Sequence, residues 1–364
     1  MRVKDVVSLI EQLAPLHYQE SYDNSGLTAG NPNDEVTGIM LCLDVTDAVL
    51  EQAHSEGLSM VISHHPLVFK PLKRLTDATR PERLMAKAIR YGLALYACHT
   101  SLDSAREGVS WRMAQILGLQ NIRTLEQRDG ELRKIAVYTP ESHAEEVREA
   151  MFAAGAGAIG RYDKCSFNSA GVGTFRAGSD CRPFVGEIGV REDAPEVKIE
   201  TAVPRHLCNS VVNAARRVHP YEEMAYDVYT LNNVAEGIGL GTIGELPEKM
   251  AVMDFIKIVK EKFNCEHIEF NEPHCEMVSR VAMCGGSGAS LAGAAAACGA
   301  EVFITGEMKF SEFFDTEGKI TTVRIGHYES EICAVDILFD YLTKKIPTFA
   351  VRKCGISTNP IRHL

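Results

Sequence analysis

The chain has 364 residues, enough for two domains or for one domain carrying an insertion, and its 45% hydrophobic and 24% charged content fits a globular protein with a full core. A formal net charge of −11 argues against nucleic-acid or anionic-membrane partners, because both need basic patches. No apolar run approaches the roughly 20 residues that cross a bilayer, Met1 to Asp5 leads straight into an amphipathic pattern, and the 11 cysteines are scattered with no CxxC pair, which points to reduced thiols in the cytoplasm.

In chain order, Val3 to Leu13 reads as a helix, Gly38 to Leu43 as a buried strand, Asp47 to Glu56 as a helix and Met60 to Ser63 as the next strand. Pro81 to Tyr91 is helical, with proline at an allowed early position, and Leu93 to Cys98 is a third strand. Continuous apolar strands alternating with helices predict an α/β layer with a largely parallel sheet, whose ligands bind beyond the carboxyl ends of the strands. After Leu119 the rhythm breaks. Strands over Lys134 to Tyr138 and Val197 to Val203 flank a helix over Ser142 to Ala154 and a glycine-rich stretch containing Gly171 and Gly173. A helix over Arg205 to Arg217 and a strand over Tyr226 to Leu231 complete two β-α-β-type halves, the pattern of a ferredoxin-like α+β module. Gly237, Gly239, Gly241 and Gly244 read as the linker back. The first rhythm then resumes: a helix from Ala251 to Phe263, a strand from Val278 to Cys284, a small-residue helix from Ser290 to Cys298, strands at Val302 to Thr305 and Thr321 to Ile325, and a last helix from Glu329 to Lys344. The expected architecture is a discontinuous α/β domain, residues 1–124 and 236–364, with an inserted α+β domain at 125–235.

His64 and His65 follow the strand Met60 to Ser63, and Pro66 ends it. Neighbouring side chains on a strand point to opposite sides, so two adjacent histidines do not readily serve one metal but can straddle two. The plainer alternative is a pair of strand-end histidines bonded to loop backbone. Two further clusters follow strand ends: His99 to Asp103, and His327 to Glu331, whose two end residues share a helical face at a spacing of four. Imidazole with carboxylate suits zinc, iron(II) or manganese. Asp103 and Glu331 could instead serve only as helix N-terminal carboxylates. The turn Gly285-Gly286-Ser287-Gly288 joins a strand to a helix and could offer amides to a phosphate, although close packing explains its glycines equally well. His219-Pro220-Tyr221-Glu222-Glu223 reads as a turn with solvated charges rather than a second metal site.

These residues resemble the NIF-three-like dinuclear-metal family, also known as GTP cyclohydrolase I type 2 homologues. The matching segments are Tyr22 to Leu27, Leu43 to Thr46, Ser63 to Pro66, His99 to Asp103, Cys284 to Gly288, Thr305 to Glu307, Gly326-His327 with Glu331, and Thr358 to Pro360. Gly160 to Phe167 and His219 to Glu223 are similar to the insert of the long bacterial members. The resemblance implies that His64, His65, Asp103, His327 and Glu331 bind two divalent metal ions, zinc first, with iron or manganese as alternatives. It also implies a homohexamer and a PII/CutA-like insert. In this chain Glu307 replaces the aspartate of the family's Thr-Gly-Asp motif, and Phe310-Ser311 stand where a histidine is expected. The implied activity is metal-dependent hydrolysis of a nucleotide-like or phosphorylated small molecule, with His99 as the group that moves a proton or supports the site. The alternative is a non-catalytic metal-binding assembly whose insert senses a ligand or partner.

Overall fold

The computed structural model describes residues 1–362, which divide into two compact units, residues 1–127 with 236–362, and residues 128–235. In the first unit, α1 (Val3–Leu13) buries Val3, Val6 and Ile10 on one face, the helical spacing its sequence dictates. Strand β1 (Gly26–Ala29) follows, then β2 (Ile39–Cys42), helix α2 (Asp47–Ser55), β3 (Met60–Ser63), helix α3 (Arg80–Arg90) and β4 (Ala94–Ala97). Thr46 and Thr79 cap α2 and α3 by accepting from Val49 N and Glu82 N. Every residue of β2, β3 and β4 is buried, which is why these strands read as unbroken apolar runs. Short α4 (Thr100–Asp103) and α5 (Val109–Ile116) then lead to β5 (Gln120–Gln127).

The second unit is built from β6 (Leu132–Pro140), α6 (Ala144–Ala153), β7 (Phe167–Arg176), β8 (Arg191–Pro204), α7 (Cys208–Val218) and β9 (Tyr226–Leu231). Its antiparallel sheet has the order β7-β8-β6-β9. Ile135, Val137, Ile199 and Val203 on the strands pack with Val147, Met151 and Val211 on the helices into one core. Part of the glycine-rich stretch is strand: Gly171 and Gly173 lie inside β7, while Gly155, Gly157, Gly160 and Gly178 lie outside any helix or strand.

The chain returns through β10 (Gly239–Ala251), α8 (Val252–Lys262), β11 (Glu269–Phe270), β12 (Met277–Cys284), α9 (Ala292–Ala297), β13 (Val302–Thr305), α10 (Phe310–Thr316), β14 (Thr321–Arg324), α11 (His327–Glu331), α12 (Cys333–Lys345) and β15 (Val351–Lys353). The first unit contains two sheets, of order β1-β4-β3-β2-β15 and β11-β14-β13-β12-β10-β5. In each, three or more strands run parallel (β15, β2, β3, β4 and β12, β13, β14); antiparallel β1 closes one edge of the first sheet, and antiparallel strands flank the parallel core of the second on both sides. The His/acid clusters thus sit at the ends of two sheets, where the sequence suggested one.

The linker reading of Gly239, Gly241 and Gly244 is corrected, because all three lie in β10, paired with β5 on one side and β12 on the other. Gly239 pairs with Gln127, so the chain leaves and re-enters this unit on neighbouring strands. Gly239 has φ +144°, and a Cβ there would lie 2.0 Å from the Glu126 carbonyl oxygen. Close backbone approach requires this glycine, not flexibility. Gly293, exposed in α9, has open space around its missing Cβ. Gly239→Ala should lower the unfolding free energy by about 1–3 kcal/mol, and Gly293→Ala should raise it by roughly 0.5–1 kcal/mol. Urea denaturation of both variants checks the pair. Equal effects would contradict the assignment.

Candidate metal centre

The parallel strands deliver their carboxyl ends to one place. His64 and His65 follow β3, Asp44 follows β2, His99 follows β4, Gly285 follows β12, Glu307 follows β13 and His327 follows β14. His65 Nε2 and His327 Nε2, from the two sheets, lie 3.2 Å apart. Glu331 Oε2 is 2.8 Å from His65 Nε2, 2.9 Å from His327 Nε2 and 3.8 Å from His64 Nε2. Asp103 Oδ1 is 3.7 Å from His64 Nε2. Two groups able to hold a metal ion result, His65/His327/Glu331 and His64/Asp103/Glu331, and Glu331 belongs to both. A third group brings His99 to His64 and His65.

The ring tautomers follow from the partners. His64 Nδ1 donates to the Cys98 carbonyl at 2.8 Å, His65 Nδ1 to Asp44 Oδ1 at 2.9 Å, and His327 Nδ1 to Glu307 Oε1 at 2.9 Å. Once deprotonated, each Nε2 would turn its lone pair toward the cluster, the arrangement by which a carboxylate or carbonyl orients a metal-binding imidazole. His64 Nε2 and Asp103 Oδ1 are buried and have no hydrogen-bond partner. A buried polar atom without a partner is costly, and a cation between these two would satisfy both. Four ligands on a tetrahedral ion with bonds near 2.0–2.1 Å stand about 3.3 Å from one another. The observed separations bracket that value, so the residues fit the ion.

Charge is concentrated here. Burial alone would raise the Glu331 carboxyl, but His327, His64 and His65 around it hold it well below its usual range. Burial raises Asp103, and the Glu331 charge adds to that against the pull of the histidines. Burial opposes charge on His65 and His327, yet Asp44 and Glu331 push the first up to about 10, and Glu331 with Glu307 pushes the second up to about 9. Excess negative charge in a closed site is thus offset by protons where a divalent cation would otherwise do so.

Supporting residues carry this geometry. Asp23, whose side chain is fully buried, accepts from His99 Nδ1 at 2.7 Å, Ser25 Oγ at 2.8 Å and Thr100 N at 3.1 Å, and also from the Thr100 hydroxyl. His99 therefore turns its Nε2 to the cluster. Thr358 Oγ1 donates to Asp44, and Asn359 Nδ2 to Glu329. Asp44, Asp23 and Glu307 had no assigned role in the sequence. Asp44 and Glu307 could have been found by the strand-end criterion that picked out His64, but Asp23 follows no strand.

The turn Gly285 to Gly288 is tied into the site by its own amides. Gly285 N donates to Ser110 Oγ, Gly286 N to Ser330 Oγ and Gly288 N to Thr305 Oγ1, while the Ser287 hydroxyl donates to Glu307. The three glycine amides are therefore occupied within the protein. A Cβ on Gly286 would lie 2.1 Å from Glu331 Oε1, so the glycine makes room for the shared carboxylate. His219 is likewise engaged: its Nε2 donates to the Tyr138 carbonyl at 2.9 Å and its Nδ1 accepts from Tyr221 N at 3.1 Å. All 11 cysteines are unpaired. Among the described residues no helix is long and apolar enough to cross a membrane.

Comparison with known proteins places the chain in a family. Residues 1–360 match the family model Duf34/NIF3 (NGG1p interacting factor 3). A Bacillus subtilis protein named GTP cyclohydrolase 1 type 2 homolog is 35% identical over 371 residues, covering 99% of this chain and 98% of that protein. A Halalkalibacterium halodurans protein of the same name is 39% identical over 306 residues, covering 84% and 82%. The crystal structure of a Bacillus cereus protein related to NIF3 superposes with a TM-score of 0.87 at 35% identity, covering 100% of this chain and 99% of that one. A Staphylococcus aureus structure, protein SA1388, gives 0.78 at 27% identity over 100% and 99%. A family match along almost the whole chain and full-length relatives at this identity place the protein in the Duf34/NIF3 family.

Proposed function

We propose that the cluster is a dinuclear divalent-metal centre, with His64 and Asp103 holding one ion, His65 and His327 the other, and Glu331 bridging them. The observation that carries this reading is the membership of Glu331 in both groups, beside the unpartnered His64 Nε2 and Asp103 Oδ1. Glu331 Oε2 faces the Nε2 atoms of His64, His65 and His327 alike, so one carboxylate stands between both groups. Zinc suits the donors best, with iron(II) and manganese as alternatives.

The function we propose is metal-dependent hydrolysis of a small molecule. A bound metal pair lowers the pKa of its water toward neutrality and so supplies the nucleophile. The chain's own part is to place and move protons. His99, oriented by Asp23, presents Nε2 to the reacting centre as the group that passes a proton to the departing atom. A cavity of about 860 Å³ opens beside His327, Glu307 and Ser287, room enough for a small substrate. Its wall carries Glu266, Glu269, Glu312 and Glu329 against Lys309 and Arg324, and Arg324 is paired with Glu269. That acidic surplus favours a compact substrate with one phosphoryl or carbonyl centre over a triphosphate. This narrows what the name of the cyclohydrolase-like relatives suggests. The βαββαβ insert we read as a ferredoxin-like, PII/CutA-like domain. We keep the homohexamer in the proposal, supported by apolar side chains exposed on the insert such as Phe167 and Val172.

Metal analysis should give two ions per chain. Asp103→Ala should retain one and Glu331→Ala none. Gly286→Ala, which leaves every ligand in place, should also lower the count by displacing Glu331. Wild-type stoichiometry in Asp103→Ala and Glu331→Ala would refute the bridge.

A screen of phosphomonoesters and nucleotides should find turnover that chelator abolishes and zinc, manganese or iron(II) restores. Asp23→Asn should then lower kcat by about 10–100-fold with its metal retained. Turnover indifferent to chelation contradicts the mechanism. Full metal occupancy with no turnover across the screen moves the reading to a metal-binding assembly. Light scattering should give a closed oligomer of six chains, and a stable monomer at micromolar concentration would remove that part of the proposal.

A further inference from the structure

The insert holds a second cavity, of about 480 Å³, within the size range of small-molecule sites and lined entirely by residues of the second unit. Its walls are mostly apolar and include Phe175, Phe184, Tyr221 and Tyr138. The Tyr221 ring lies 6.3 Å from that of Phe175 and 6.1 Å from that of Phe184, both tilted, so three rings gather around one space. Tyr221 is held in place by the segment read in the sequence as a turn. Its N–H donates to His219 Nδ1, His219 Nε2 donates to the Tyr138 carbonyl, and the His219 ring meets the Tyr221 ring edge-on at 5.1 Å. Burial keeps His219 below its usual pKa, consistent with a neutral ring that positions Tyr221 instead of carrying charge.

One carboxylate is placed among the rings. Glu196, on β8, lies over Gly173 of the neighbouring strand, where a Cβ would be 2.2 Å from its Oε2. It also stands against the Tyr221 phenol: burial first, and Glu196 after it, push that group up to about 12. Glu222 is engaged by the Arg182 N–H at 2.8 Å, and Glu223, Arg176 and Arg182 share the lining, so acidic groups outnumber basic ones by one. Aromatic faces are negative at their centres and attract cations, and a carboxylate beside them adds to that attraction.

We propose that this cavity binds a small organic ammonium ion with an apolar body, its cationic head held between the Phe175, Phe184 and Tyr221 rings and Glu196. The site is independent of the metal centre and of the reaction assigned to it. Gly173 serves it by making room for the carboxylate, and the His219-Pro220-Tyr221 turn serves it by fixing the central ring.

Isothermal titration calorimetry on the full-length, metal-loaded protein tests this. The probes are choline, benzyltrimethylammonium, 3,3-dimethylbutan-1-ol as the uncharged isostere of choline, and benzoate. Both cations should bind saturably, with the alcohol and benzoate at least about tenfold weaker. Glu196→Gln and Phe184→Ala should each weaken cation binding about tenfold, with circular dichroism and metal content unchanged. Phe184 is half exposed, so its truncation leaves the core intact. Gly173→Ala keeps every ring and charged group of the lining but pushes Glu196 aside, and should show the same loss. Absence of cation binding up to about 10 mM, equal binding of the alcohol, preference for benzoate, or wild-type affinity in Glu196→Gln would each overturn the proposal.

Discussion

A carboxylate buried as deeply as Glu331 must meet positive charge or lose its own. In this protein it meets three imidazoles, and the structure around it is arranged to keep that meeting possible. Gly286 leaves space for one oxygen, and Ser330, next in sequence to Glu331, accepts from the Gly286 amide to hold the two segments together. Asp44 and Glu307 fix two of the imidazoles by their far nitrogens, and the Cys98 carbonyl fixes the third. Removing any one of these leaves the others with an unbalanced buried charge. The tolerance of the site to substitution is therefore expected to be low well beyond the atoms that would touch a metal.

Two sheets rather than one create the place where this happens. A single parallel sheet offers ligands along one edge. Here β3 and β4 of one sheet and β12, β13 and β14 of the other turn their carboxyl ends to the same point, so histidines separated by more than 250 positions come within 3.2 Å. The insert leaves this arrangement undisturbed, because the chain departs at Gln127 and returns at Gly239 on paired strands. Glu307 serves the same point from β13, reaching His327 Nδ1 at 2.9 Å and taking the Ser287 hydroxyl with its other oxygen.

Much of this was legible in the sequence, for identifiable reasons. The buried strands β2, β3, β4 and β13 are unbroken apolar runs, and such runs read clearly. His64 and His65 were visible because they follow β3, Asp103 because it follows β4, and His327 and Glu331 because they follow β14. What escaped depended on contacts made by distant parts of the chain. Strand β7 exposes most of its residues and carries glycines, so it looked like loop, and its existence depends on ten residues of pairing with β8. Gly239, Gly241 and Gly244 looked like a linker because only the neighbouring strands reveal how closely other backbone and side chains approach. Asp23 lies outside any regular element, and its partners are some 76 residues away.

The central claim is that Glu331 bridges two ions, and anomalous X-ray scattering from crystals grown with zinc tests it most directly. The account predicts two zinc peaks per chain about 3.5–4 Å apart, one beside His64 and Asp103, the other beside His65 and His327, with Glu331 between them. A single peak ligated by His65 and His327 alone, with His64 Nε2 and Asp103 still facing each other without an ion, would contradict it.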